Sequence, residues 1–359
     1  MPAKELLIGI AEAGIMNTDP AEFDTDTRFR MVKEAGVFDY YDKTPPVQDL
    51  YTYKAMVQKH GLPMTAGGFY YFLGRDEPLL EWHLRVGKEL GTRAHNVQII
   101  SHDVNRRPVT DEQVIATYLR AAEVGDETGV TPCFEVHVNM WSEHFGRIAR
   151  VAEAVEAQGV KFNMTLDHSH VIFKIDNPEA QEVQGMRADV EAGRIELDPF
   201  KPGSVCQQWI DAGYVRHAHA RAAVPNGPKN VWMTDAAGKP GRGIQYPFIR
   251  PKPGEWHSDW DESALEPWKE VVRQLMRHHR DDPTSQLATI STEFIPFPDY
   301  GGNAKYSIFE HSVACAAWLR ETWAAINAEL PNLPREAATP TSSSPGLSGG
   351  PMSKSHVRT

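Results

Sequence analysis

Short apolar runs alternate with longer amphipathic stretches from Leu6 to Leu330, and a glycine marks most of the passages between them. KEAG precedes VFDYYD, QKHG precedes LPMTAGG and KELG precedes TRAHNVQII. DETG then precedes VTPCFEVH, EAQG precedes VKFNMTLD and IDAG precedes YVRHAHAR. Gly36, Gly61, Gly91, Gly129, Gly159 and Gly213 thus fall just past predicted helix ends, where a left-handed backbone suits a residue without a Cβ. Repetition of this junction is the mark of consecutive βα units. LLIGIA supplies a first strand and ATISTEF a last, so the count is eight strands, each followed by a helix.

Helix signals fill the intervals. Asp76 is placed to cap a helix carrying Leu79, Leu80, Leu84, Val86 and Leu90. Thr110 with Gln113 matches a capping box ahead of Val114, Ile115, Tyr118 and Leu119, and the last helix is expected from Ala304 to Leu330. Alternating β and α elements predict a parallel sheet, and eight units favour its closure into a (β/α)8 TIM barrel. A GxGxxG fingerprint, which would favour an open dinucleotide-binding sheet, is missing. The predicted organisation is a single barrel domain over residues 1–330 and a disordered tail over 331–359, where PREAATPTSSSPGLSGG cannot build a core. Long connections follow the sixth strand (Ile175 to Gly213) and the seventh (Ala222 to Asp261). The second, rich in Pro, Gly and Trp, is expected to fold over the mouth of a pocket.

Chemistry enters at the strand ends. Glu135, Asp167, His219 and Glu293 each close one of strands five to eight, and a barrel gathers such ends on its active-site face. Two Glu, one Asp and one His make a cage for a divalent metal; Mn²⁺ is favoured by the three carboxylates, with Mg²⁺, Co²⁺ and Zn²⁺ as alternatives. Alternation along a strand puts His137 on the face of Glu135, and His217 and Arg221 on the face of His219. His170 follows Asp167 by three residues, close enough to turn back towards the same point. His95 and Asn96, with His102 and Asp103, either hold a substrate hydroxyl or are ordinary loop polarity. His278 and His279 at a helix C-terminus, and Trp318 and Trp323 in the last helix, read as structural.

Composition narrows the class. The formal charge of −11 disfavours binding to nucleic acid, and three scattered cysteines form neither a disulfide framework nor a zinc knuckle. With no apolar run resembling a signal peptide or a membrane span, a soluble cytoplasmic protein is expected.

The motifs Glu135-Val136-His137, Asp167-His168-Ser169-His170, His217-Ala218-His219 and Glu293 resemble those of the xylose isomerase-like barrels, the sugar phosphate isomerase/epimerase superfamily. The likeness covers about residues 5 to 330 and implies that Glu135, Asp167, His219 and Glu293 are the metal ligands. Ala220-Arg221 departs from the Lys-Asp that many members carry after the seventh-strand His. Within the superfamily, FEVHVNMW and GRGIQYPF are most similar to catalytic α subunits of C-glycoside deglycosidases. That resemblance implies a lyase that eliminates an aglycone from a 3-oxo C-glycoside and works with a smaller β subunit, unless the chain forms a homo-oligomer. His137 is then the base or the support of Glu135, and His170, His217 and Arg221 are substrate-binding groups. A sugar isomerase or epimerase is the first alternative; a DNA-repair endonuclease on the same barrel and a non-catalytic barrel are the others.

Overall fold

The computed structural model describes residues 4–16 and 23–329, and the tail from 331 to 359 lies outside the described residues. Eight parallel strands close a barrel, with β1 (Leu7–Ala11) hydrogen-bonded to both β2 (Tyr40–Asp42) and β8 (Thr289–Thr292). Between them run β3 (Ala66–Tyr71), β4 (Ala94–Ile99), β5 (Thr131–Glu135), β6 (Met164–Asp167) and β7 (Val215–Ala220), each beside its sequence neighbour. The predicted (β/α)8 barrel is the architecture observed.

The expected junctions form as their chemistry requires. Helices α1 (Thr25–Ala35), α2 (Leu50–His60), α3 (Glu77–Leu90) and α4 (Asp111–Thr128) end on Gly36, Gly61, Gly91 and Gly129, all left-handed, with φ between 59° and 80°. Each of these glycines donates its N–H to a carbonyl of the last helical turn, so the chain reverses into the next strand without stranding that group. Gly159 and Gly213 are left-handed too, three residues beyond α5 (Phe145–Glu156) and two beyond α6 (Val205–Asp211) respectively, once the turn has run on. The Thr110–Gln113 capping box is made in both directions. Asp76 occupies the N-cap of α3 but does not cap it; its carboxylate accepts from Phe72 N–H and pairs with Arg75 instead. The last helix, α8 (Ile308–Ala328), starts four residues later than expected, after the turns through Gly301 and Gly302.

Alternate residues of each strand face the helices or the barrel axis. Outward, Ile8, Ile10, Val97, Phe134, Leu166 and Ile290 are buried under the helical ring, where α7 (Glu266–Asp281) contributes Trp268. Trp318 packs on Trp268 and Trp323 on His279, so these aromatics are core, as expected. Inward, Tyr40, Thr165, His217, Thr289 and Ser291 fill the lumen, where Tyr40 bonds Ser291, His217 bonds Thr289 and Thr165 donates to Cys133 O. Gly9 makes room for this layer: a Cβ there would lie 2.3 Å from the Tyr40 ring. The register pairs Asp167 with His219 and His219 with Ser291, which brings the polar ends of β6, β7 and β8 to one level.

Candidate metal centre

Side chains from the last four strands meet at that level. Glu135, Asp167, His219 and Glu293 each offer a ligand atom, all within 4.8 Å of one another. His219 Nδ1 lies 3.0 Å from Glu135 Oε1 and 3.1 Å from Glu293 Oε2. Glu135, Asp167 and His219 are buried, while Glu293 keeps 12 % of its side chain exposed. The four strand-end residues singled out in the sequence do converge.

The balance of charge matches a divalent cation. Three carboxylates face a single permanent cation among the described residues, Arg221, leaving two negative charges for a metal ion, or in part a proton on His219, to offset where ionised groups are costly to bury. Burial disfavours a charged His219, but Glu293 and Glu135 outweigh it and raise the imidazole pKa well above its ordinary value. A proton and a metal ion therefore compete for the same nitrogen lone pair. Burial likewise raises the Asp167 pKa, and Arg221 with His170 reverses it, holding this carboxyl well below the usual range. The donor set of two Glu, one Asp and one imidazole fits a divalent ion.

Surrounding groups orient the cluster. Asn96 Nδ2 and Gln98 Nε2, on one face of β4, donate to Glu135 Oε2 at 2.7 and 2.5 Å. Gln98 was not anticipated, although its spacing from Asn96 already put both on the same side of a strand. Ser169 Oγ donates to Asp167 Oδ1 at 2.6 Å.

A cavity of about 370 Å³ opens above the cluster, bordered by His137, His219 and Glu293 and by Asp42, Lys43 and Asn96. Phe69, Tyr70 and Phe297 stand at its edge, and the first two rings stack at 4.7 Å. A second hollow, about 460 Å³, lies at the opposite end of the barrel around Thr131, Asn163 and Arg216, and none of the expected ligands borders it.

The residues expected to bind substrate lie against the cluster, behind the cavity wall. Arg221 is fully buried, paired with Asp167 and with Glu293 at 2.9 Å, so its charge is spent inside the cluster. His170 packs behind it, with Nε2 2.8 Å from Arg221 and 3.2 Å from Asp167. His217 lies two residues deeper in β7 than His219, bound through Nδ1 to Thr289 Oγ1 at 2.8 Å. None of these three borders the cavity. Of the four candidates around β4, Asn96 alone reaches it: His95 bonds Tyr71 at 2.7 Å, His102 lies against the Phe72 ring, and Asp103 ties its own turn through Arg107 and Asn105. His137 does reach the cavity. Its Nδ1–H donates to Val138 O at 2.5 Å, Nε2 faces Tyr300 OH at 3.3 Å, and burial followed by His170 lowers its pKa to about 3.

The long segment after β7 does not cover the mouth. It forms a two-stranded hairpin (Asn230–Thr234 with Pro240–Gly241) and braces the β8–α8 loop that forms the wall. Asn230 Nδ2 donates to Tyr300 O and Gly302 O, Gln245 accepts from Ile295 N–H, and Arg242 pairs with Asp299. Contact is so close at Gly241 that a Cβ would fall 1.6 Å from Pro298 O.

Solved structures with this arrangement of strands and helices include an epimerase, a probable dehydratase and a xylose isomerase-like barrel. D-psicose 3-epimerase from Clostridium cellulolyticum H10, determined with D-tagatose, is 14% identical, with a TM-score of 0.51, over 88% of this chain and 99% of its own. The probable 3-DHS dehydratase of petrobactin synthesis from Bacillus anthracis is 13% identical over 88% and 98%, with a TM-score of 0.51. A xylose isomerase-like TIM barrel protein from Mycobacterium smegmatis, in complex with magnesium, is 9% identical over 88% and 97%, with a TM-score of 0.53. The fold shared with these structures is a (β/α)8 TIM barrel. No protein-family model and no curated protein sequence matches the chain. Among the described residues no helix is long and apolar enough to cross a membrane.

Proposed function

We propose that this chain is a divalent-metal-dependent carbon–carbon lyase that eliminates the aglycone from a 3-oxo C-glycoside. The observation that carries the reading is the four-donor cluster with its excess of two negative charges, set below a cavity whose edge is aromatic. When bound by Glu135, Asp167, His219 and Glu293, a divalent cation supplies the positive charge that polarises a sugar carbonyl. We favour Mn²⁺ for a site this rich in carboxylate.

The chain's own groups then divide the work. Glu293 is the ligand carboxylate that borders the cavity, and we assign to it the removal of the proton from C2, next to the C3 carbonyl. The electron pair left at C2 forms a double bond to C1 as the C1–aglycone bond breaks; the aglycone carries away that bonding pair and gains a proton. With its pKa near 3, His137 holds a proton poorly, and we assign it to orienting Tyr300 rather than to abstraction. Phe69, Tyr70 and Phe297 offer flat apolar surface to an aromatic leaving group. A smaller β subunit, or a second copy of the chain, is the partner this reading entails, and the acidic balance argues against duplex DNA as a substrate.

A sugar isomerase or epimerase is the second reading, and the likeness to an epimerase determined with D-tagatose favours it. The two share the first proton transfer and part afterwards. The test incubates the Mn²⁺-loaded protein and its partner with an oxidised aryl C-glycoside and follows free aglycone by chromatography. Release supports the lyase; no release, with interconversion of ketoses instead, moves the assignment to the second reading.

A further inference from the structure

The ligand cluster uses the ends of β5 to β8, yet the cavity is equally bordered by the ends of β2 and β4, where three polar side chains are held with a hydrogen-bonding atom to spare. Asp42 is buried, and Ser291 Oγ donates to its Oδ2 at 2.5 Å, the same oxygen that faces His217 at 3.5 Å. Its other oxygen, Oδ1, takes part in neither of these contacts. Lys43 Nζ is fixed 2.9 Å from Glu12 Oε1, and Glu12 is itself buried and held by Arg28, Tyr41 and Tyr53. One bond to Glu12 leaves an ammonium with further donors, and Lys43 keeps 33 % of its side chain exposed at the cavity. Asn96 commits its amide nitrogen to Glu135, while Oδ1, buried, has no partner. Gly68 leaves the space beside it open, since a Cβ there would fall 2.8 Å from Asn96 Cβ.

A buried acceptor without a partner, such as Asn96 Oδ1, is uncommon, because it forfeits the hydrogen bonds it had in water. Two acceptors and one charged donor on a single wall match the hydroxyls of a ring polyol, each of which both donates and accepts. The aromatic edge cannot satisfy these atoms.

We infer that Asp42, Lys43 and Asn96 form a hydroxyl-reading wall that binds the C4 and C6 hydroxyls of a 3-oxopyranose and sets which ring carbon faces the ligand cluster. The inference rests on the proposed sugar chemistry and names the part of the chain that selects the sugar. Lys43 donates to a ring hydroxyl, which in turn donates to Asp42 Oδ1 or Asn96 Oδ1. Lys43 is the member to test, since it touches none of the four ligands, whereas Asn96 supports Glu135 and Asp42 lies beside His219.

The experiment titrates Mn²⁺-loaded full chain with 3-oxo-D-glucose and with its 4-deoxy and 6-deoxy analogues by calorimetry, for wild type and Lys43→Met, with bound manganese measured in both. Wild type should bind at least one deoxy analogue about 10-fold or more weakly than the parent, the scale of a charge-assisted hydrogen bond. Lys43→Met should lose a similar factor for the parent, discriminate less between parent and analogue, and retain its manganese. Parent binding unchanged in Lys43→Met, or equal binding of all three sugars by wild type, overturns the inference while leaving the metal-dependent sugar enzyme intact. Failure of wild type to bind any of the three overturns both. Should Lys43→Met not fold, the wild-type deoxy series decides alone.

Discussion

Replacing Arg221 by Met tests the charge argument at its centre. The guanidinium is fully buried, and it pairs with both Asp167 and Glu293. Methionine has similar reach and no charge, so the substitution leaves three carboxylates with no permanent cation beside them. Breaking a buried pair by removing one partner costs about 3–5 kcal/mol, because the remaining charge stays buried and uncompensated. Two effects soften that figure: His219 holds its proton more firmly, and Asp167 loses the influence that keeps its pKa low. A loss of about 3 kcal/mol is the expectation for the metal-free protein, the lower end of that range. A divalent ion restores positive charge, and at a free concentration 100 times its Kd it stabilises the folded state by about 2.7 kcal/mol. The assay is denaturant unfolding of wild type and Arg221→Met, each with EDTA and with Mn²⁺. The gap between the proteins should be wide in EDTA and should narrow with Mn²⁺. Equal stability in EDTA would refute the reasoning, as would a gap that the metal leaves unchanged.

Other predictions follow from the same site. Glu135→Gln and Asp167→Asn should each lose bound metal, read by elemental analysis of the purified protein, while circular dichroism shows the barrel retained. Metal binding should release a proton from His219, so that calorimetry in buffers of different ionisation enthalpy reports the release, and affinity should rise with pH up to the raised pKa of that imidazole. In the metal-free protein that raised pKa contributes stability in full below the unfolded value near 6.5, and the contribution is lost as pH climbs through the folded one. The opposite sign holds for His95 and His311, which burial depresses to about 3 and about 4. They bind protons in the unfolded chain first, so acidification from pH 6.5 to 4 should destabilise the fold by up to roughly 1.4 kcal/mol per unit and group, and His311→Gln should flatten the slope measured by urea unfolding.

The barrel was legible in the sequence because its signals are local. A glycine past a helix end, an apolar run after it and the Thr110–Gln113 box each act within a few residues, and all of them formed. The metal cluster was legible for a related reason. A closed parallel barrel brings every strand end to one face, so Glu135, Asp167, His219 and Glu293 needed only their places in the strands to be brought together. By the same rule Asp42, at the end of VFDYYD, was within reach and was passed over.

Where each polar group directs its charge was a matter for the tertiary structure. Arg221, His170 and His217 have the spacing of pocket residues, yet Arg221 turns into the carboxylates, His170 packs behind it, and His217 binds Thr289. The segment after β7 has the length of a lid, yet it braces the loop that follows β8, some sixty residues later in the chain. Strand period and turn chemistry depend on neighbours along the chain, whereas the partner of a buried charge depends on which groups from distant strands share its space.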